Sequence, residues 1–313
     1  MNIFPALIKR EFLDGQNGYL RVPVILAALS IFLVIVSTIG FGATIEFDGV
    51  FDDHEIQNLG QALDEAAASR RGETELPAAV TLSYWVMGGI SWVALPFVVF
   101  FTLLSALYEE RRDRSILFWK SMPVDDWQEV LVKFATPVFL APVIFLAIAI
   151  ASQLIVALFL SIVVLFQGGP VLELWPLASM IGTWFYFATL YLTMTLWVLP
   201  VLAWVLFVSA YASRLPIMWA LMPPAIIAAV EGILFETTTF LRWIGIQLGG
   251  WQVYAYDSIH ADIDGPADFL ALIFGGLQGV ALSYSLGSIQ FWVGLVIAAA
   301  FLYGSIELRK RAS

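Results

Sequence analysis

Residues 108–134 read YEERRDRSILFWKSMPVDDWQEVLVKF, and eleven of these 27 residues are charged although long apolar segments lie on both sides. A charge at the bilayer centre costs roughly 2.5–3.5 kcal/mol on insertion scales, so we predict that this segment lies at a membrane surface. It also carries a run of four large apolar residues at positions 116–119. A plain loop gains little by exposing such a run, and we interpret the segment as a short docking helix with apolar anchors and a charged rim.

The overall composition is that of an integral membrane protein. The 313 residues are 60% hydrophobic and 13% charged, with a mean hydropathy of +0.87, whereas soluble domains carry about 25% charged residues. There is no cysteine, which excludes disulfides and thiolate metal sites. We therefore predict an all-α polytopic membrane protein. The few basic residues flank apolar segments and give no sign of nucleic-acid binding.

Six apolar segments are long enough to cross about 30 Å of hydrocarbon. Within a single transmembrane domain of residues 1–313, we predict spans at residues 22–44, 78–107, 135–166, 177–211, 217–235 and 289–306. Proline cannot donate the helical hydrogen bond, so Pro96 is expected to break the second span and Pro200 to kink the fourth. Pro137 and Pro142 are expected to kink or restart the third span.

The segments between the spans have three distinct characters. Residues 1–20 are amphipathic and predict an interfacial helix, with Lys9, Arg10 and Glu11 opposite an apolar face that includes Phe12. Residues 45–77 form an acidic loop on the opposite side. Within residues 236–288, the apolar stretch 268–283 is too short for a full span and predicts a re-entrant or interfacial helix.

The distribution of basic residues sets the orientation. With six spans both termini lie on one side, and that side carries 12 of the 15 lysines and arginines. The positive-inside rule then predicts that both termini and residues 108–134 are cytoplasmic. A seventh crossing at residues 268–283 would move the basic C-terminal residues outside, and we reject it for that reason.

Catalytic and metal-binding motifs are absent from the sequence. None of the four lysines sits in a phosphate-binding P-loop, so the chain is not expected to hydrolyse ATP or to act as an enzyme. Two histidines without partner ligands do not predict a metal site. A polar residue inside a span is a functional-site hypothesis by default, and the candidates are Gln153, Glu231 and Glu236. The alternative is that water or a basic partner satisfies both glutamates near the interface.

These features together resemble the permease subunit of bacterial ABC transporters of the ABC-2 (type V exporter-like) group. The resemblance rests on IKREFLDGQNGYLRVPVIL at the first span and on ERRDRSILFWKSMPV followed by Lys133. It implies an N-terminal elbow helix, a coupling helix between spans 2 and 3 and a re-entrant helix between spans 5 and 6. It also implies location in the bacterial inner membrane and pairing with a second permease, either an identical copy or a paralogue.

The resemblance assigns the energy source to two copies of a separate ABC ATPase subunit, which would bind ATP and Mg. The chain itself would bind no cofactor and would contact membrane lipid. The elbow residues would be Lys9, Arg10, Glu11 and Phe12. The docking residues would be Glu109, Glu110, Arg111, Arg112, Asp113, Arg114, Ile116, Leu117, Phe118, Trp119, Lys120 and Pro123.

Two readings of the function follow from the sequence. In the first, the chain forms the translocation pathway of an ATP-driven exporter and couples to its ATPase through residues 108–134. In the second, it is a membrane sensor or scaffold that recognises an extracytoplasmic ligand through residues 45–77. For residues 108–134 themselves, the alternatives to docking are a loop whose charges only set topology, or apolar anchors resting on lipid.

Overall fold

The computed structural model describes residues 4–40, 58–69, 72–120, 124–256, 264–273 and 278–311. These residues are almost entirely helical and contain no strand. Within them, six helical segments are long and apolar enough to cross a membrane, which confirms the predicted all-α multi-pass architecture. Pro123, part of the acidic loop at residues 45–77 and part of residues 236–288 lie outside the described residues, as do the side-chain contacts of Phe118.

The helices follow the order of the predicted spans, with short helices between them. The six long ones are α2 (Val22–Gly40), α4 (Gly72–Ala106), α8 (Ala141–Gln167), α9 (Leu177–Tyr211), α10 (Pro216–Phe235) and α15 (Ile289–Arg311). The short ones before α10 are α1 (Phe4–Asp14), α3 (Leu59–Ala68), α5 (Tyr108–Arg112), α6 (Ile116–Lys120) and α7 (Asp126–Ala135). Those after it are α11 (Thr239–Gly245), α12 (Trp251–Tyr256), α13 (Pro266–Leu272) and α14 (Gln278–Gly287).

Helix α9 is the centre of the bundle. It packs along α15 on one side and along α4 on the other, while α2 fits against α4 and α8. The residues that fill these seams are buried apolar side chains such as Leu103, Phe145 and Leu206. Helix α10 touches α9 and α4 only lightly and is the least enclosed of the six.

The second and third spans show how the structure accommodates their prolines. Helix α4 is continuous through Pro96, so the predicted break of the second span is wrong. Helix α7 runs without a break into a π-helical turn at Thr136–Leu140 and then into α8, so the helix that contains the third span begins before residue 135. The distortion expected at Pro137 and Pro142 therefore takes the form of this turn.

Two prolines are accommodated by aromatic donors from α9. A helical proline leaves the carbonyl four residues earlier without its usual N–H. The carbonyl that Pro142 leaves free, that of Val138, accepts a hydrogen bond of 3.1 Å from the Tyr191 hydroxyl. The carbonyl freed by Pro224, on Ala220, accepts one of 3.0 Å from the Trp204 indole N–H. Neighbouring helices thus satisfy the backbone that proline exposes in a span.

The region between spans 5 and 6 is built from several short helices. Where a single apolar helix was predicted over residues 268–283, the structure places α13 and α14, with residues 274–277 outside the described part. The α12 and α14 helices contact each other, α14 reaches α9, and α13 packs on α4. The carboxylate of Glu75 on α4 accepts a 3.1 Å hydrogen bond from the Ala267 amide, which ties α13 to the start of span 2.

Candidate docking face and its ion-pair chain

Charged side chains from four separate helices meet at one end of the bundle. They come from α1, α5, α7 and the last turn of α15, so both ends of the described chain lie at the same face as the segment between spans 2 and 3. This shared face agrees with the even number of spans predicted from the sequence. The face is called here the docking face.

The charges alternate in sign along a continuous series of contacts. Asp126 lies 3.2 Å from Arg309, which pairs closely with Glu110. Glu110 lies 3.1 Å from Lys133, and Lys133 lies 3.0 Å from Glu11. The series ends with Arg10, which is 2.5 Å from both Glu11 and Glu129. We call these residues the ion-pair chain: Asp126, Arg309, Glu110, Lys133, Glu11, Arg10 and Glu129.

Most members of the ion-pair chain are withdrawn from solvent. The side chains of Arg309, Glu129 and Lys133 are 2%, 4% and 7% exposed, whereas Asp126 at the end of the series is 25% exposed. A charge removed from water is tolerated only when it is paired and hydrogen-bonded. The alternation in sign meets this requirement and fastens α1, α5, α7 and α15 to one another.

Arg10 has the most directional contacts in this series. Its two terminal nitrogens donate to the two carboxylate oxygens of Glu129 at 2.7 and 2.5 Å, and its guanidinium lies 4.2 Å from the ring centre of Trp119. Burial alone would lower the pKa of Arg10, but the hydrogen bonds that Arg10 donates to the carboxylates of Glu129 and Glu11 outweigh it and raise the pKa above its ordinary value. The planar guanidinium group of arginine can form two parallel hydrogen bonds with a carboxylate while it stacks on an aromatic ring. Arg10 thereby links α1, α6 and α7.

A second set of contacts fixes the junction between α4 and α5. The Ser209 hydroxyl on α9 accepts hydrogen bonds of 3.0 Å from the backbone amides of both Leu107 and Tyr108. Arg111 donates to the carbonyls of Ser209 and Ala212, each at 2.7 Å. The amides left free where α4 ends and α5 begins are therefore satisfied by the end of span 4.

The predicted docking residues divide into an inward and an outward group. The inward group consists of Glu110, which belongs to the ion-pair chain, Arg111, which donates to a carbonyl of α9, and Ile116, whose side chain is buried. Trp119 is half-buried. The exposed ones, called here the outward set, are Glu109, Arg112, Asp113, Arg114 and Leu117. Leu117 is 58% exposed and is the described apolar residue of the run that faces out. Lys120 is half-buried and donates to the Lys310 carbonyl at 3.2 Å.

The elbow residues likewise point in different directions. Arg10 and Glu11 turn into the ion-pair chain, Lys9 is exposed, and Phe12 is partly buried with its ring 6.5 Å from that of Tyr19. The sequence pattern Asp126-x-x-Glu129 predicts a capping-box-like start for the helix that leads into the third span. In the structure the N-cap of this helix, α7, is Asp125, whose amide donates to the Gln128 side chain at 3.4 Å. Asp126 and Glu129 are members of the ion-pair chain.

Two of the three intramembrane polar candidates, Gln153 and Glu231, have structural partners. Gln153 donates to the Tyr84 carbonyl at 3.3 Å and accepts from the Trp184 indole at 2.7 Å, so it joins α4, α8 and α9 inside the bundle. Glu231 accepts from the amides of Thr239 and Phe240, each at 2.8 Å, and thereby caps α11. Glu236 is exposed at the end of α10. In the part of the chain that the structure describes, no group of side chains is suited to hold a metal ion.

Several residues of the ion-pair chain could not be assigned from the sequence. Arg309 was interpreted only as part of a basic terminus, and Glu129 only as a capping residue. A weak signal existed in α7, where Glu129 and Lys133 are four residues apart and so share a helix face. Their partners lie 119 and 122 positions away in the chain, at Arg10 and Glu11.

Comparison of the chain with protein-family models, with curated proteins and with solved structures finds no match.

Proposed function

We propose that the chain is the membrane-spanning subunit of an ATP-driven exporter of the ABC-2 type, and that the outward set docks on a separate ATPase. The observation that carries the proposal is the ion-pair chain. It fastens the exposed α5–α6 segment to the start of span 3 and to the end of span 6. A segment held by these ion pairs can transmit a movement of a docked partner to the membrane-spanning helices.

The chemistry of the outward set fits a protein partner. An apolar anchor, Leu117, stands close in sequence to a rim of mixed charge at residues 109–114. Protein interfaces combine a buried anchor with a charged rim that sets register and association rate. The sequence has no P-loop, so an active transporter built on this chain takes its energy from another subunit. The elbow, coupling and re-entrant roles of α1, α5–α6 and α13–α14 are part of the same proposal, as is a dimer of permeases.

The proposal is tested by isolating the tagged full chain from its native membrane and measuring ATP hydrolysis and co-purified P-loop ATPase. Leu117→Asp places a charge at the centre of the docking surface and is expected to lower both by at least about ten-fold, the effect of 1.4 kcal/mol or more at an interface anchor. Leu172→Asp is the matched control, because Leu172 is 84% exposed but lies between spans 3 and 4, at the other end of the bundle.

Two results would contradict the proposal. One is a chain that transports at full rate with no ATPase present. The other is equal loss of the ATPase in the Leu117→Asp and Leu172→Asp proteins, since the docking face would then have no special part. A chain that responds to an external ligand and recruits no nucleotide hydrolase would favour the sensor hypothesis instead.

A further inference from the structure

An open cleft of about 570 Å³ lies between α1 and the start of span 3. On the α1 side it is lined by apolar residues that include Phe4 and Ile8, with Lys9 at the edge. Leu140 and Ile144 line it on the side of span 3. Its volume lies within the range of about 300–1,000 Å³ that is common for small-molecule pockets.

The cleft opens onto the lipid-facing surface of the span. Phe139 and Val143, which directly precede Leu140 and Ile144 in the chain, are 42% and 62% exposed. They belong to the helical segment Asp126–Gln167, which is long and apolar enough to cross the membrane. In a bilayer, exposed apolar side chains at this level contact acyl chains, so hydrocarbon has direct access to the cleft.

The edge of the cleft carries an available positive charge. Lys9 is exposed and makes no ion pair with any residue that the structure describes, whereas its neighbours Arg10 and Glu11 turn away into the ion-pair chain. One lysine near a membrane surface raises the affinity of a protein for anionic lipid about five-fold. An apolar cleft with one cation at its mouth matches an acyl chain that ends in an anionic headgroup.

We propose that the cleft between α1 and span 3 is a binding site for an anionic phospholipid, whose acyl chain lies against Ile8 and Ile144 and whose phosphate is held by Lys9. The inference depends on the membrane architecture and not on the proposed exporter function. Its test requires no ATPase, so the two proposals can fail separately.

The full chain is reconstituted in vesicles of equal phosphatidylglycerol and phosphatidylcholine, with a photoactivatable acyl chain on one lipid or the other. Labelled peptides are identified by mass spectrometry, with α3 and α13 at the opposite end of the bundle as internal reference. We expect phosphatidylglycerol to label α1 and residues 139–144 more than phosphatidylcholine does. Lys9→Ala should lower this preference about five-fold, while Arg214→Ala, at another exposed basic residue, should leave it unchanged.

Two further variants test the apolar part of the site. Ile8→Trp and Ile144→Trp fill the cleft from its two sides and should reduce labelling by both lipids there, with reference labelling unchanged. Ile8 is 38% exposed on α1, so its variant keeps the test valid where Ile144→Trp fails to fold. Equal labelling by the two lipids, equal effects of Lys9→Ala and Arg214→Ala, unchanged labelling in the filled variants, or crosslinks to a second copy of the chain would each overturn the proposal.

Discussion

Substitution of Arg309 by methionine removes the most buried cation of the ion-pair chain while keeping much of the side-chain volume. Loss of one partner from a buried pair costs about 3–5 kcal/mol, because the other charge is left uncompensated. Glu110 keeps Lys133 at 3.1 Å, and Asp126 is partly exposed to water. Both facts place Arg309→Met near the lower end of that range, at about 3 kcal/mol of lost unfolding free energy.

The assay is denaturant unfolding in detergent, followed by the fluorescence of the twelve tryptophans. Arg311→Met is the matched control, since Arg311 is exposed on the same helical turn and should change stability by no more than about 0.5 kcal/mol. The double variant Arg309→Met/Glu110→Gln should lose less unfolding free energy than the two single variants lose together, and the difference should be about 0.5–3 kcal/mol. An Arg309→Met effect as small as that of Arg311→Met, or strict additivity, would refute the coupling between these residues.

Two further perturbations probe how the spans are held together. Trp204→Phe removes the donor to the carbonyl that Pro224 leaves free and should cost about 1–2 kcal/mol; in a Pro224→Ala protein the helix supplies its own N–H, so the same change should cost clearly less. Gly169→Ala would place a Cβ 2.5 Å from the backbone of α3 and should cost about 1–3 kcal/mol of unfolding free energy, whereas Gly89→Ala, which meets open space, should be neutral or stabilising.

The number and order of the spans could be predicted because each depends on a local property, an apolar run of sufficient length. Their ends could not be predicted in the same way. The sequence places Glu129 and Lys133 at the membrane surface because charges are excluded from hydrocarbon, and in the structure α7 continues through them into span 3. Their charges are neutralised by Arg10, Glu11 and Glu110, which come from elsewhere in the chain.

The prolines and the region before span 6 illustrate the same limit. Whether a proline breaks a helix depends on whether a neighbour can satisfy the freed carbonyl, and Tyr191 and Trp204 become neighbours only after the bundle forms. The short helices α11–α14 are too short to be stable alone, since isolated helices below about 12–15 residues are marginal in water. These helices pack on α4, α9, α10 and α15 and on one another, and local periodicity does not reveal that packing.

The candidate docking site at residues 108–120 stays a prediction, and its internal division could not be predicted from the sequence. The mixed segment 108–120 was interpreted as one surface, although the sequence contains no local signal that separates Glu109 from Glu110 or Ile116 from Leu117. The structure separates them because α5 turns one face towards α7, α9 and α15, and because Ile116 of α6 is buried whereas Leu117 is exposed. Only the opposite face, which holds the outward set, remains exposed.

The order of positive and negative charges along α7 also fixes the position of this helix along its own axis. Glu129 and Lys133 are one helical turn apart and carry opposite charges, and they face Arg10 and Glu11 in the same order. A slip of α7 by one turn, about 5.4 Å, would bring Lys133 towards Arg10 or Glu129 towards Glu11, and like charges in a poorly hydrated site repel strongly. An apolar seam would allow such sliding at small cost. The alternating charges therefore hold α7 at one axial position, so that a displacement of α5 through Glu110 has to carry α7 and the span behind it as a unit.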